Sequence, residues 1–250
     1  MTPRVYLPQP LHEQQRAVLD DRARHYLVNV LRLKDAAPVI IFNGDGHDYR
    51  GTLRMAQRKS AWVDLGSRTP VDNESTLSLH LAQVVSRGER MDLTIQKAVE
   101  LGVATIIPLL STRCEVRLSP QRWHKRLDHW RQIIISACEQ CGRSRLPAIS
   151  LPVPLHTWLN TSTMTDEKDA ASLVLNPGQG APLARAVPTR PASCTLVVGP
   201  EGGLTAEELA ECEQAGFRSV RLGPRILRTE TAAMAALAAL QALYGDFAAP

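Results

Sequence analysis

The stretch Leu196-Val-Val-Gly-Pro-Glu-Gly-Gly-Leu-Thr205 reads as a short apolar strand, a Gly-Pro loop and the start of a helix. Thr205 and Glu208 have the spacing of a capping box, in which the two side chains satisfy backbone N–H groups of the first helical turn. Leu222-Gly-Pro-Arg-Ile-Leu-Arg-Thr-Glu-Thr231 repeats the arrangement and runs into an Ala-rich helix predicted over 232–243. Two such loops close together imply neighbouring parallel strands whose carboxyl ends hold a ligand by backbone groups. The Gly199–Gly203 loop is no P-loop, because no Lys follows the glycines, and it is no GxGxxG fingerprint. Its glycines let a ligand approach the backbone closely. Arg225, Arg228 and Glu230 crowd the second loop at the root of a helix small enough in side chain to pack tightly.

Upstream, the same grammar continues. Leu77–Val85 and Val103–Leu110 are apolar strands, and Glu89–Leu101 between them has helical spacing at Met91, Ile95, Ala98 and Val99, ended by Gly102. Ser119-Pro120 begins a long helix. Its apolar face runs Trp123, Leu127, Trp130, Ile134, Ala137, Cys138 and Cys141, and its other face carries Arg122, Lys125, Arg126 and Arg131. Leu173–Leu175, Thr195–Val198 and Ser219–Leu222 are further strands, and 161–170 and 188–193 read as surface loops. Apolar strands alternating with helices predict an α/β fold with a parallel sheet covered on both faces.

Residues 4–69 have a different pattern. Arg4–Leu7, Pro38–Phe42, Asp48–Leu53 and Ser60–Leu65 read as strands, with a helix over Asp21–Leu31 and a tight turn at Asn43-Gly-Asp-Gly46. Short strands with turn signals predict a small β-barrel. Polar Pro70–Ser75 breaks both periodicities, so the domains are expected at 1–72 and 73–250.

Composition narrows the function classes. The chain has 250 residues, 44% of them hydrophobic and 22% charged, enough apolar matter to bury a core. The net charge of +4 permits a polyanionic partner without demanding one. The excess is localised: Arg87–Arg145 holds 11 Lys/Arg against 6 Asp/Glu, and 1–72 holds 11 against 8. The opening residues lack the apolar core of a secretory signal, and the apolar run Ala232–Leu240 is too short to span a bilayer, so a cytoplasmic location without a membrane partner is expected. Five scattered cysteines argue against a disulfide framework, and Cys138 and Cys141 sit inside a helical pattern where a redox thiol is not activated. Seven histidines without ligand spacing predict no metal site.

Taken together, Gly199–Leu204 and Leu222–Ala232 resemble the RsmE family of SPOUT-class RNA methyltransferases. Gln83–Met91, Ile95–Gly102, Ala137–Arg143, Arg4-Val-Tyr6, Arg24-His25 and Val30-Leu-Arg32 are similar to the same family. The resemblance implies S-adenosylmethionine-dependent methylation of N3 of one uridine in the decoding region of 16S ribosomal RNA, on the 30S subunit. It implies an N-terminal PUA-like barrel that binds RNA, a C-terminal trefoil knot, and a homodimer with active sites at the subunit interface. General topology rules argue against a knot, so that expectation comes from the resemblance alone.

By the same resemblance, three loops hold the cofactor: Leu175, Asn176, Pro177 and Gly178; Gly199, Pro200, Glu201 and Gly202; and Leu222, Gly223, Ile226 and Leu227, with Thr231 after them. The uridine N3 proton must leave before a methyl group can be accepted there. Arg228 is the candidate to stabilise the resulting uracil anion, and Glu230 or Glu201 is the candidate to accept the proton or orient that Arg. Arg4, Arg24 and Arg32 in the barrel, with Arg87, Arg90 and Arg122 beyond it, are candidate phosphate contacts. Competing readings are another SPOUT enzyme acting on transfer RNA or a ribose hydroxyl, and a non-catalytic ribosome-assembly factor. A nicotinamide-dependent enzyme fits poorly without GxGxxG.

Overall fold

The structure, a computed structural model, describes residues 2–56, 60–161, 169–187 and 190–248. The chain divides into two compact units, one of residues 1–74 with 135–146 and one of 75–134 with 147–250.

The first unit is a five-stranded sheet in the order β1-β3-β4-β5-β2. Its strands are β1 (Arg4–Tyr6), β2 (Arg16–Val18), β3 (Pro38–Phe42), β4 (His47–Ala56) and β5 (Ser60–Pro70). β1 runs parallel to β3 and the other pairs are antiparallel. Val5 and Ala17 from the two edge strands share one buried cluster with Val39, Ile41, Leu53 and Val63, so the sheet curls around its core as a small barrel does. The β3–β4 turn needs its glycines, because Gly44 and Gly46 both have positive φ. Helix α1 (Asp21–Arg24) is capped by Asp20, whose carboxylate accepts the Ala23 N–H at 2.7 Å. The predicted helix over 21–31 continues past α1 as a π-helical stretch, His25–Val30. Strand β2 carries no apolar alternation longer than three residues and was not predicted.

Residues 135–146 belong to the first unit by their bonds. Glu139 accepts the Tyr6 N–H at 3.0 Å and pairs with Arg22 at 2.9 Å. The expected 1–72 domain therefore gains a second segment that no local pattern marks.

The second unit is an eight-stranded parallel sheet. Its order is β11-β13-β10-β12-β6-β7-β8, with β9 also pairing β7. In chain order it holds β6 (Ser78–Val84), α2 (Glu89–Glu100), β7 (Val103–Leu110), α3 (Pro120–Cys141), β8 (Ala148–Ile149), β9 (Val153–Pro154) and α4 (Leu155–Thr161). Then follow β10 (Ala170–Leu175), β11 (Ala181–Pro182), α5 (Leu183–Ala186), β12 (Ser193–Val198), α6 (Ala206–Gln214), β13 (Arg218–Arg221) and α7 (Thr229–Tyr244). The C-terminal end of α3 counts with the first unit. Residues 162–168 and 188–189 of the two predicted surface loops lie outside the described residues.

α7 packs on α2 and against β6 and β12, and Ala233, Ala236, Leu237 and Leu240 are buried along it. It starts three residues before the predicted 232, because Thr229 and Glu230 are buried in its first turn rather than left in the loop. Gly102 ends α2 at φ +78°, and a Cβ there would lie 2.7 Å from Gln241 Nε2, which donates to the Leu101 carbonyl. No helix is long and apolar enough to cross a membrane among the described residues.

Candidate active site

The parallel register brings the carboxyl ends of β10, β12 and β13 side by side, with Val174 opposite both Val197 and Ser219. The loops leaving these ends enclose a cleft of about 620 Å³, within the range of small-molecule and cofactor sites. Leu175, Val198, Val220, Leu222 and Leu227 give it apolar walls, and Gly199–Gly203 forms one side. Gly180 lets the loop after β10 fold down onto β13, since a Cβ there would stand 2.4 Å from the Val220 backbone.

The Gly199–Gly203 loop is fastened at both ends. The predicted capping box is present: Glu208 N–H donates to Thr205 Oγ1 at 3.2 Å, and Thr205 N–H donates to Glu208 Oε2 at 2.8 Å. Glu208 Oε1 also accepts the Thr112 N–H at 2.7 Å, so each oxygen of its buried carboxylate holds one backbone N–H. At the other end, the Thr229 hydroxyl donates to the Gly199 carbonyl at 2.7 Å and accepts from Gln83 Nε2 at 3.0 Å. Sequence reasoning passed over Gln83 and Thr229 as functional residues. A glutamine inside an apolar strand, fully buried here, was the available signal.

By contrast, Gly223–Leu227 is held by little. Among the described residues its backbone N–H and C=O groups make no hydrogen bond within the chain. Gly223, Arg225, Ile226 and Leu227 line the cleft, and their backbone groups are available to the polar edge of a ligand. Ile226 is 88% exposed at the same place, an apolar side chain without a wall to cover it.

Of the residues expected at the cofactor, Leu175, Asn176, Pro177, Gly199, Pro200, Glu201, Gly202, Leu222, Gly223, Ile226 and Leu227 line this cleft. Gly178 and Thr231 do not, Thr231 being exposed on the first turn of α7. Arg228 lines it as the N-cap of α7. Its side chain makes no cap hydrogen bond there. A cation at the positive end of a helix dipole, where Ser, Thr, Asp or Asn is preferred, runs against local stability. The helix end therefore gives the Arg228 side chain no stabilising role.

The two carboxylates separate. Glu230 is buried in the first turn of α7, off the cleft lining, and its Oε2 has no partner among the described residues. Glu201 lines the cleft and is engaged: it accepts from Arg90 at 2.9 Å and from the Arg87 N–H at 3.2 Å. Burial raises the Glu201 carboxyl, but its own backbone N–H, the Arg90 guanidinium and the Arg87 N–H outweigh that and hold it below its ordinary value. Its partner is thus Arg90 and not Arg228, and a carboxylate held low is a weak proton acceptor.

The expected phosphate contacts also divide. Arg4 is a correction: its side chain is 10% exposed and committed inside the first unit, to Asp48, the Arg143 carbonyl and Ser144. A guanidinium so enclosed is unavailable to a phosphate. Arg24 pairs with Asp21 at 3.2 Å on the surface, and Arg32 is exposed at φ +53°. Arg87 pairs with Glu115 at 2.6 Å, and Arg122 is exposed on α3. Among the described residues no group of His, Cys, Asp and Glu is arranged to hold a metal. Burial pushes the thiols of Cys138, Cys194 and Cys212 up to about 12, which fits packing rather than redox roles.

Residues 73–241 match the model of the RNA methyltransferase domain, and 19–66 match that of the RNA methyltransferase PUA domain. The ribosomal RNA small subunit methyltransferase E of Buchnera aphidicola (subsp. Acyrthosiphon pisum) is 34% identical over 98% of this chain and 95% of its own. The crystal structure of the protein of that name from Neisseria gonorrhoeae, bound to S-adenosyl methionine, is 38% identical with a TM-score of 0.90, covering 99% of this chain and all of that one. A Legionella pneumophila protein solved in complex with the bound cofactor SAM is 38% identical with a TM-score of 0.92, covering 98% and 99%.

Proposed function

We propose a function from one premise: the chain belongs to the ribosomal RNA small subunit methyltransferase E family, and is an RNA methyltransferase. On our reading it uses S-adenosylmethionine to methylate N3 of one uridine in the decoding region of 16S ribosomal RNA, on the assembled small subunit. We read it as a cytoplasmic homodimer with a trefoil-knotted second domain, active sites at the subunit interface and an RNA-binding first domain.

The observation that carries this reading is the cleft at the ends of β10, β12 and β13. Its size suits a nucleoside cofactor, and the unbonded backbone of Gly223–Leu227 suits an adenine edge. Leu222, Ile226 and Leu227 supply the apolar slot, and Gly199–Gly202 the opposite side. When bound, the cofactor supplies an electrophilic methyl group.

The chain's own residues must then make N3 of uridine nucleophilic. That nitrogen is protonated at neutral pH, so its proton has to leave. Arg228, at the cleft and without a carboxylate partner among the described residues, suits the negative charge that develops on the uracil oxygens. Glu201 is already occupied by Arg90. Glu230 retains an oxygen without a partner and, lying off the cleft lining, is the carboxylate left to orient Arg228 or to receive the proton through an intervening water. Walls that hold the two reactants in line contribute the rest by proximity.

The test is to incubate the purified protein with methyl-labelled S-adenosylmethionine and unmodified small ribosomal subunits, digest the RNA and identify the labelled nucleoside. N3-methyluridine at one site is expected. A different methylated nucleoside would overturn the assigned base. No label from a protein that binds the cofactor would overturn the assigned substrate.

A further inference from the structure

Three arginines of the second unit meet around one loop. The Arg90 guanidinium donates to Glu201 at 2.9 Å, the Arg87 backbone N–H reaches the same carboxylate at 3.2 Å, and Arg113 donates to the Gly202 carbonyl at 2.8 Å. The Arg87 guanidinium is in turn held by Glu115 at 2.6 Å. These contacts are open to solvent: Arg87 and Glu115 are 68% and 63% exposed, and Arg90 and Glu201 are 44% and 31% exposed. Exposed pairs of this kind contribute little and exchange readily with another anion.

The topology puts this cluster at a special place. From β6 the chain crosses through α2 to β7 on one side, while β12, entering much later, pairs on the other side. The order of the sheet therefore reverses between β6 and β12. In open parallel sheets the crevice outside the carboxyl ends at such a reversal receives ligand. Here that crevice lies between Val84–Arg87 and Val198–Glu201. Ser86 stands at the end of β6, fully buried, and its hydroxyl has no partner among the described residues. Arg90 and Glu201 line the cofactor-sized cleft as well, so the two places adjoin.

We propose that this crevice is a phosphate-binding subsite for a single-stranded RNA backbone beside the cleft, and that Glu201 and Glu115 act as internal anions that occupy Arg90 and Arg87 until RNA displaces them. The forked guanidinium matches phosphate as well as carboxylate, so the exchange conserves the hydrogen bonds of the arginines. The subsite rests on the RNA methyltransferase reading above. The displaced carboxylates make its behaviour distinctive. Removing an ordinary stabilising ion-pair partner weakens a site, whereas removing an internal competitor strengthens it.

The experiment is fluorescence anisotropy of a labelled single-stranded RNA oligonucleotide titrated with the full chain over a series of salt concentrations. R90A is expected to bind more weakly and to lower the slope of log affinity against log salt by about one. E201Q is expected to raise affinity by roughly two- to five-fold, the worth of an exposed pair, and to add nothing in an R90A background. E115Q is expected to raise affinity in the same way through Arg87, which keeps the test open if E201Q folds poorly. Unchanged or weaker binding by both Gln variants would overturn the proposal, as would an equal gain from E201Q with and without Arg90. Cofactor titration and small-subunit methylation by the unaltered protein run alongside. If these succeed while the Gln variants give no gain, the subsite fails alone; if they fail, the functional reading fails first.

Discussion

The hydroxyl of Thr229 donates to the carbonyl of Gly199 at 2.7 Å, tying the first residue of α7 to the first residue of the loop after β12. Gln83 Nε2, buried at the end of β6, donates to the same hydroxyl at 3.0 Å. Three chain segments that are distant in sequence thus share one oxygen atom at the wall of the cleft. T229V keeps the shape and removes the hydroxyl, leaving Gly199 without its donor and Gln83 Nε2 with the Val84 carbonyl as its one remaining acceptor. It is expected to lower stability by about 1–3 kcal/mol, the usual cost of stranding buried polar groups. It is also expected to weaken S-adenosylmethionine binding, while T229S restores both. Calorimetric titration alongside thermal melting checks this, and unchanged cofactor affinity in T229V would remove the loop-tying role.

Arg228 is the cleft-lining cation for which the helix end gives no structural use. R228A is expected to lower kcat by about 10²–10³, the loss typical of one electrostatic contact made in the transition state. Cofactor affinity should stay within about twofold and the melting temperature should not fall, since the N-cap position gains nothing from Arg. Single-turnover methylation of small subunits separates the two effects. A variant with normal turnover would take Arg228 out of the reaction.

Glu201 gives a pH prediction with a definite sign. Its folded carboxyl is held below its unfolded value by hydrogen bonds that outweigh burial, so the tie it makes is present above the unfolded value and is lost as pH falls through the folded one. Glu201 is therefore fully ionised across the neutral and alkaline range. The pH–rate profile of E201Q in that range is expected to keep the shape of the unaltered protein's, whatever its height. Loss of a limb of the profile would identify Glu201 as the titrating base.

Burial holds the thiols of Cys138, Cys194 and Cys212 up at about 12, so they remain protonated in the folded chain at neutral pH. An unfolded chain ionises them far lower, so stability is expected to fall as pH climbs through the ordinary thiol range toward that value. At neutral pH these three should resist iodoacetamide until the chain is unfolded, as peptide mass spectrometry will read. Rapid alkylation of Cys138 in the native protein would contradict the packing role.

Much of the architecture was legible locally. The apolar runs at 103–110 and 195–198, the Gly102 stop and the Thr205–Glu208 box each depend on residues within one turn or one strand of each other, and each appears where the pattern put it. The Gly-Pro loops likewise announced a site at the carboxyl ends of strands, and those loops do enclose the cleft. The short elements were hidden for a related reason. β2, β8 and β11 are two or three residues long, too short to carry a period, and exist because a neighbour offers a free edge.

What the sequence by itself determined is the longer strands and helices and the residue types gathered at the loops, because periodicity, capping and turn chemistry act over a few residues. Only the tertiary structure decided which charges meet. Arg4 reads like a surface cation and is enclosed by Asp48 and Ser144, and Glu201 reads like a partner for Arg228 and is taken by Arg90. These pairings join residues separated by dozens to more than a hundred positions. No local pattern encodes them, since the distance between such groups is set only when the sheet order and the return of the helix end at 135–146 have closed the chain.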